Sequence, residues 1–197
     1  MALSAKQKQK KTERKKQKRK MAKPLTRLSQ QGPSAHSYAR YPLHECLVPP
    51  DLFDNGIGVI VISRSLPDDA IAAAVFLVDT YCLGVKNAYF TLLDREYYDG
   101  GFKEELYDGY ADGEFQRTHP SCAMKIIEGA KAYAAEYGFQ PHKDYHKAIP
   151  LLKGIDPAAC PVKYDFGHKG KPFYIQGPHE SDSDTRRIMK RIQTHKS

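Results

Sequence analysis

Residues 56–90, GIGVIVISRSLPDDAIAAAVFLVDTYCLGVKNAYF, decide the fold. Two apolar runs flank Leu66-Pro67-Asp68-Asp69, where proline sits early in a turn and the aspartates can bond the backbone. The short connection and matched run lengths predict an antiparallel hairpin over residues 58–79. The second run, residues 70–79, is apolar on both faces, so it belongs at the centre of a sheet covered on two sides. Residues 81–84 read as a bulge or turn. Beyond them, residues 85–92 carry Tyr89 and Phe90 and have no N-cap, which favours a third strand over a helix. Upstream, PLHECLVPP (residues 42–50) is bracketed by prolines and reads as an edge strand or an ordered arm.

Downstream, the helical period takes over. Ala123, Ile126, Ile127, Ala130, Ala134 and Tyr137 form one apolar stripe, with Pro120 in the first turn and Gly138 as a left-handed stop, so an amphipathic helix is expected over residues 120–137. Residues 94–113, DREYYDGGFKEELYDGYADG, mix acids and glycines without a clear period and read as a mobile surface segment, with a helix at most over 102–110. A short helix cut by Pro150 is expected in 141–152, a capped turn in 156–160, and a hairpin of residues 162–166 and 173–176 around Gly167 and Gly170. Ile188 and Ile192 give residues 181–197 a basic amphipathic pattern. The fold class is therefore α+β: a small antiparallel sheet, made of hairpin 58–79 and one to three further strands, packed against helix 120–137. The domain is expected over 42–180, after a basic disordered tail and linker (1–41) and before a basic C-terminal helix or tail (181–197).

The net charge of +8 over 197 residues is unevenly placed. Residues 1–23 hold eleven Lys/Arg against one Glu, a net +10. Residues 24–180 hold fifteen against twenty Asp/Glu, a net −5. Residues 181–197 hold five against two, a net +3. Affinity for phosphate must then come from the ends, through Lys10, Lys11, Arg14, Lys15, Lys16, Lys18, Arg19 and Lys20, helped by Arg186 and Arg187. The expected partner is nucleic acid, RNA above all, with a protein partner for the acidic middle. No apolar run is long enough for a membrane span, and the start of the chain lacks the apolar core of a secretory signal. Cys46, Cys82, Cys122 and Cys160 form no CxxC pair, which predicts free thiols and a cytoplasmic setting. No cofactor motif is present: Gly56-Ile57-Gly58 precedes a strand and is no phosphate loop.

Three groups of residues suggest chemistry. Asp79, Cys82 and Lys86 lie close in sequence; a cysteine beside a lysine can have a depressed pKa, and with His142 or His119 as base the set would suit a thiol-dependent hydrolase or transferase. The plainer account is a buried Asp79–Lys86 ion pair beside a packed thiol. His142 and His146 share a face if they lie on one helix and could grip a divalent metal, without the glutamate of HExxH. A dispersed zinc site from His44, Cys46, His119, Cys122 and Cys160 would need the fold to unite it, and would make the protein a metal-stabilised interaction module.

The segments VFLVDTYCLGVKNAYF (75–90), HPSCAMKIIEGAKAYAAEYGFQPHKDY (119–145) and CPVKYDFGHKGKPFYIQGP (160–178) resemble an uncharacterised bacterial protein family. The resemblance spans about residues 42–178. It implies one domain there and no activity or ligand set. The leading expectation is a non-enzymatic nucleic-acid-associated protein, with the thiol enzyme as the alternative.

Overall fold

The computed structural model describes residues 34–107, 115–176 and 181–194. In chain order these form α1 (Ala35–Tyr38), β1 (Leu43–Val48), α2 (Leu52–Asn55), β2 (Ile57–Ser65), β3 (Ala70–Asp79) and β4 (Gly84–Asp94). Then come α3 (Arg95–Tyr97), a π turn (Tyr98–Phe102), α4 (Lys103–Tyr107), β5 (Gln116–Arg117) and α5 (Pro120–Glu136). The chain continues with α6 (Tyr145–Ala148), 3-10 turns at Ile149–Leu152 and Pro157–Ala159, and α7 (Asp182–Thr194). The strand order is β4-β3-β2-β1-β5, and every pairing is antiparallel. The class is α+β, as the residue pattern predicts.

The β2–β3 hairpin pairs without interruption from Ile57↔Asp79 to Ser65↔Ile71. Its turn closes by Leu66 N–H donating to Ala70 O at 2.8 Å, and Asp68 and Asp69 take left-handed backbone (φ 58° and 53°), which aspartate tolerates better than most residues. Because side chains alternate along a strand, β3 serves two cores. Ala72, Ala74, Phe76 and Val78 face Ala123, Ile126, Ile127 and Ala130 of α5, while Ile71, Ala73 and Val75 meet Tyr98, Phe102 and Phe115. Covered on both faces, β3 is buried along nearly its whole length.

Three expectations need correction here. Residues 95–107 are no loose surface segment. The π turn widens the helix and stacks Tyr98 on Phe102 (centroids 5.3 Å apart), and both rings are buried against the second sheet face. The glycines and acids that mask the period lie between those two rings and around them. Nor do residues 162–176 make a hairpin: among the described residues they contribute one isolated bridge, His168↔Lys171. β1 is also not an edge, since β5 pairs with its outer side at Leu47↔Arg117 and Val48↔Gln116.

The domain reaches further at both ends than expected. Ala35 of α1 sits in the main core and Tyr38 stacks on Phe90 at 5.7 Å. Arg64 ties this end to the rest. Only 6% exposed, it donates from Nε to Leu151 O (2.8 Å), from Nη1 to Tyr41 O (2.6 Å) and from Nη2 to Lys153 O (3.1 Å). The stretch before β1 and the turn after α6 are thus both pinned to β2. The free-thiol reading holds for Cys46 and Cys82, but Cys122 and Cys160 form a disulfide that joins the start of α5 to the 3-10 turn at Pro157–Ala159. That pair removes two ligands from the dispersed zinc set. Among the described residues no helix is long and apolar enough to cross a membrane.

Candidate anion-binding cleft

The turn from β3 into β4 sets the site. Asp79 lies at the end of β3, and its Oδ1 accepts the N–H groups of Tyr81 (2.9 Å) and Cys82 (2.8 Å). The turn ends at Gly84, in left-handed backbone (φ 68°), where a Cβ would come within 2.9 Å of Ala130 O and the Ala134 Cβ. Only glycine lets β4 start this close to α5. Asp79 is therefore a turn carboxylate held by backbone donors, and Lys86 is a lesser, more distant charge to it. Burial raises the Asp79 pKa above 3.8, outweighing those donors. The folded chain thus holds the proton more tightly than the unfolded chain between 3.8 and the raised value, and the stability that Asp79 supplies falls as pH rises through that window. The advantage of the native chain over Asp79→Ala in thermal unfolding is expected to shrink as pH rises from the ordinary carboxylate value of 3.8; an advantage that grows as pH rises from there contradicts the assignment.

Cys82 is not placed as a nucleophile. It is 0% exposed and packs with Ala134, Phe139, Ile188 and Ile192. Burial first, and the charge of Asp79 second, push its thiol up to about 12, the opposite of an activated cysteine. Among the described residues no histidine hydrogen-bonds its sulfur, so the chemistry that joins Cys82 to His142 has no geometric basis. The signal that misled is sequence proximity. Cys82 and Lys86 straddle the turn, so the thiol enters the core while Lys86 emerges at the edge of the sheet.

Lys86, His142 and Arg187 do come together. The chain leaves α5 through Gly138 (φ 74°), and Phe139 N–H returns to Ala134 O at 3.0 Å. The following loop is laid along β4 by His142 N–H donating to Val85 O at 2.9 Å. On the other side α7 docks by its buried Ile188 and Ile192, which leaves Arg186, Arg187, Lys190 and Arg191 exposed. Between these elements opens a cleft of about 470 Å³. Leu83, Val85, Phe139 and Ile188 supply its apolar lining; Lys86, His142, Arg187, Arg191 and Gln140 supply the polar part among the described residues.

Each cation is positioned by a neighbour. Lys86 Nζ donates to Ile175 O at 3.3 Å and lies 5.8 Å from the Tyr174 ring centroid. Arg191 donates to Gly138 O at 3.1 Å, at the carbonyl end of α5, and lies 5.6 Å from the Phe139 ring centroid. Arg187 pairs with Asp184 at 2.8 Å, and His142 lies 3.7 Å from Asp144. His142 precedes α6 whereas His146 is exposed within it, so the shared helical face assumed for a metal pair is not formed. Of the other named phosphate-binding residues, Arg186 is exposed on α7, and Lys10, Lys11, Arg14, Lys15, Lys16, Lys18, Arg19 and Lys20 lie outside the described residues.

A second polar cluster escapes sequence reasoning. The bulge in β1 between Leu43 and Glu45 brings His44 and Glu45 toward the same sheet face. Glu45, 6% exposed, meets Lys103 at 2.6 Å and Arg117 at 3.0 Å, with Tyr98 and Ser63 sharing a hydrogen bond beside it. His44, Glu45 and Asp99 each offer a ligand atom within 4.8 Å of the others. Lys103, however, also pairs with Asp99 at 3.0 Å, so a lysine ammonium already serves both carboxylates. The cluster locks the 95–107 segment to β1; nothing in the local sequence around Glu45 announces partners 58 and 72 residues away.

Comparisons with known proteins add no name to this geometry. No protein-family model, no curated protein and no solved structure matches the chain.

Proposed function

We propose that this chain is a non-enzymatic nucleic-acid-associated protein that holds RNA, free or within the ribosome, through phosphate contacts from its basic ends. The observation that carries this reading is the placement of charge: a net +10 and a net +3 at the two ends against −5 between them. The docking of α7 supports it. An amphipathic helix with two isoleucines on its buried side presents Arg186, Arg187, Lys190 and Arg191 outward beside Lys86, a strip of cations suited to a phosphate backbone. The acidic middle would repel a polyanion elsewhere and leaves room for a protein partner.

Fluorescence anisotropy with a labelled single-stranded RNA, run over a salt series, tests the reading. The full chain should bind with a steep salt dependence, and deletion of residues 1–23 should abolish binding at physiological salt while the melting transition persists. Joint replacement of Arg186 and Arg187 by alanine should flatten the log–log salt slope by about 1 to 2. Equal binding by the truncated chain, or a flat salt series for the full chain, rejects the proposal.

A further inference from the structure

We propose that the groove between α5 and residues 164–170 is a docking site for an arginine side chain carried on an extended segment of a partner protein. The inference rests on the part of the reading above that gives the acidic middle a protein partner, and it uses no residue of the basic ends. One wall is α5, which supplies Tyr133 and Glu136; the other is the stretch after the disulfide, which supplies Tyr164, Asp165, Phe166 and Lys169. The space is about 690 Å³, room for one long side chain and the main chain on either side of it. The second wall is fixed before any ligand arrives. Cys160 is bonded to Cys122, Lys125 Nζ donates to Cys160 O at 2.8 Å, and Gly167 N–H donates to Thr80 O at 2.9 Å. A Cβ on Gly129, inside α5, would strike the Phe166 ring. Glycine is unfavourable within a helix, so its presence there lets that ring lie against α5.

Rings and carboxylates together define the ligand class. The planes of Tyr133 and Phe166 differ by 26° with centroids 6.3 Å apart, and Tyr164 stacks on Phe53 at 6° and 5.2 Å. An aromatic face attracts a cation, and near-parallel rings suit a planar one. Guanidinium is planar, stacks on aromatic faces and forks onto carboxylates, whereas an ammonium offers only a compact charge. Glu136 and Asp165 supply the carboxylates; both are exposed, and among the described residues neither enters an ion pair. Lys169 is the opposing charge, and two carboxylates against one ammonium leave the lining negative among the described residues. A nucleic-acid base would stack on the same rings, but its phosphates would meet both carboxylates, which favours the arginine.

An NMR titration of the full chain at low salt tests the site with a capped Gly-Ser-Arg-Ser-Gly peptide, beside versions in which lysine or citrulline replaces the arginine. Amide shifts should fall on residues 129–136 and 164–170. Citrulline keeps the shape and loses the charge, and should bind about tenfold more weakly; lysine should bind about fivefold more weakly. Glu136→Gln and Asp165→Asn should each weaken the arginine peptide by about three- to fivefold, the range of an exposed ion pair, and should leave the fold intact because both side chains are exposed. Lys169→Gln should tighten it by about twofold. Glu104→Gln, an exposed acid on α4, should leave it unchanged.

Equal binding of the arginine and citrulline peptides overturns the site, as does a loss in Glu104→Gln as large as in the groove variants, or shifts that fall elsewhere. Two other occupants would show themselves. A short single-stranded RNA that shifts the same two stretches assigns the groove to nucleic acid, and a peptide affinity that rises when Arg14 and Arg19 are both replaced by glutamine assigns it to the chain's own tail; either result overturns the partner proposal. The RNA salt series reads the basic ends, so failure of the groove leaves that reading standing, and failure of that reading leaves the peptide titration to stand alone.

Discussion

Replacing Arg64 by methionine is expected to destabilise the protein by on the order of 4 kcal/mol, seen as a fall of roughly 10 °C in Tm. Methionine fills much of the same volume, so the loss isolates the guanidinium. Its three N–H bonds go to carbonyls of Tyr41, Leu151 and Lys153, and removing them leaves up to three acceptors in a partly dry environment. An unsatisfied buried acceptor costs about 1–3 kcal/mol, reduced where water can reach it. Lysine should recover little, because one ammonium cannot span three carbonyls that a planar fork spans. Burial also lowers the Arg64 pKa, the direction expected for a cation paired with dipoles and no carboxylate. A melting temperature within 2–3 °C of the native value for Arg64→Met, about what a surface change produces, contradicts this account.

Reduction of the Cys122–Cys160 disulfide is the second large effect expected. The bond closes a loop with a sequence separation of 38, and the chain-entropy account assigns such a loop about 4 kcal/mol through restriction of the unfolded state. Dithiothreitol, or Cys160→Ser, should then lower Tm by roughly 10 °C. Thiol titration supplies an independent readout. The denatured, unreduced chain should show two thiols, Cys46 and Cys82, and reduction should raise the count to four. The folded chain should react slowly, since both free cysteines are buried and their thiols are pushed up to about 12. Four reactive thiols in the unreduced, denatured protein would remove the disulfide from the account.

The sheet was legible in the sequence because its determinants are local. The matched apolar runs within residues 58–79, the turn at Pro67 and the stripe from Ala123 to Tyr137 each need only near neighbours to be read. What escaped is what depends on distant ones. Tyr98 and Phe102 read as loop aromatics until a π turn places both against β2 and β3. Arg64 looks like an intruder in an apolar strand, and two of its three acceptors come 87 and 89 residues later. The disulfide joins cysteines whose spacing fits no motif.

The candidate site divides in the same way. Lys86, His142 and Arg187 were each named from local features and assigned to three different roles, yet they line one cavity. Asp79 and Cys82, which seemed to belong with Lys86, are turned away from it by a single reversal of the chain at Gly84.

The docking of α7 by Ile188 and Ile192 has a consequence for any ligand of the cleft. One wall is the body of the domain and the other is a helix attached through a small contact, so the site exists only while the helix is seated. A ligand that touches Lys86 on one side and Arg187 or Arg191 on the other works as a clasp. Its measured affinity is its intrinsic affinity scaled by the fraction of time the helix is down, and by reciprocity its presence holds the helix in place. Occupancy should therefore be readable at a distance from the cleft, as slower amide exchange along Asp182–Thr194, and a substitution at Ile188 or Ile192 should weaken a ligand that neither residue needs to bond.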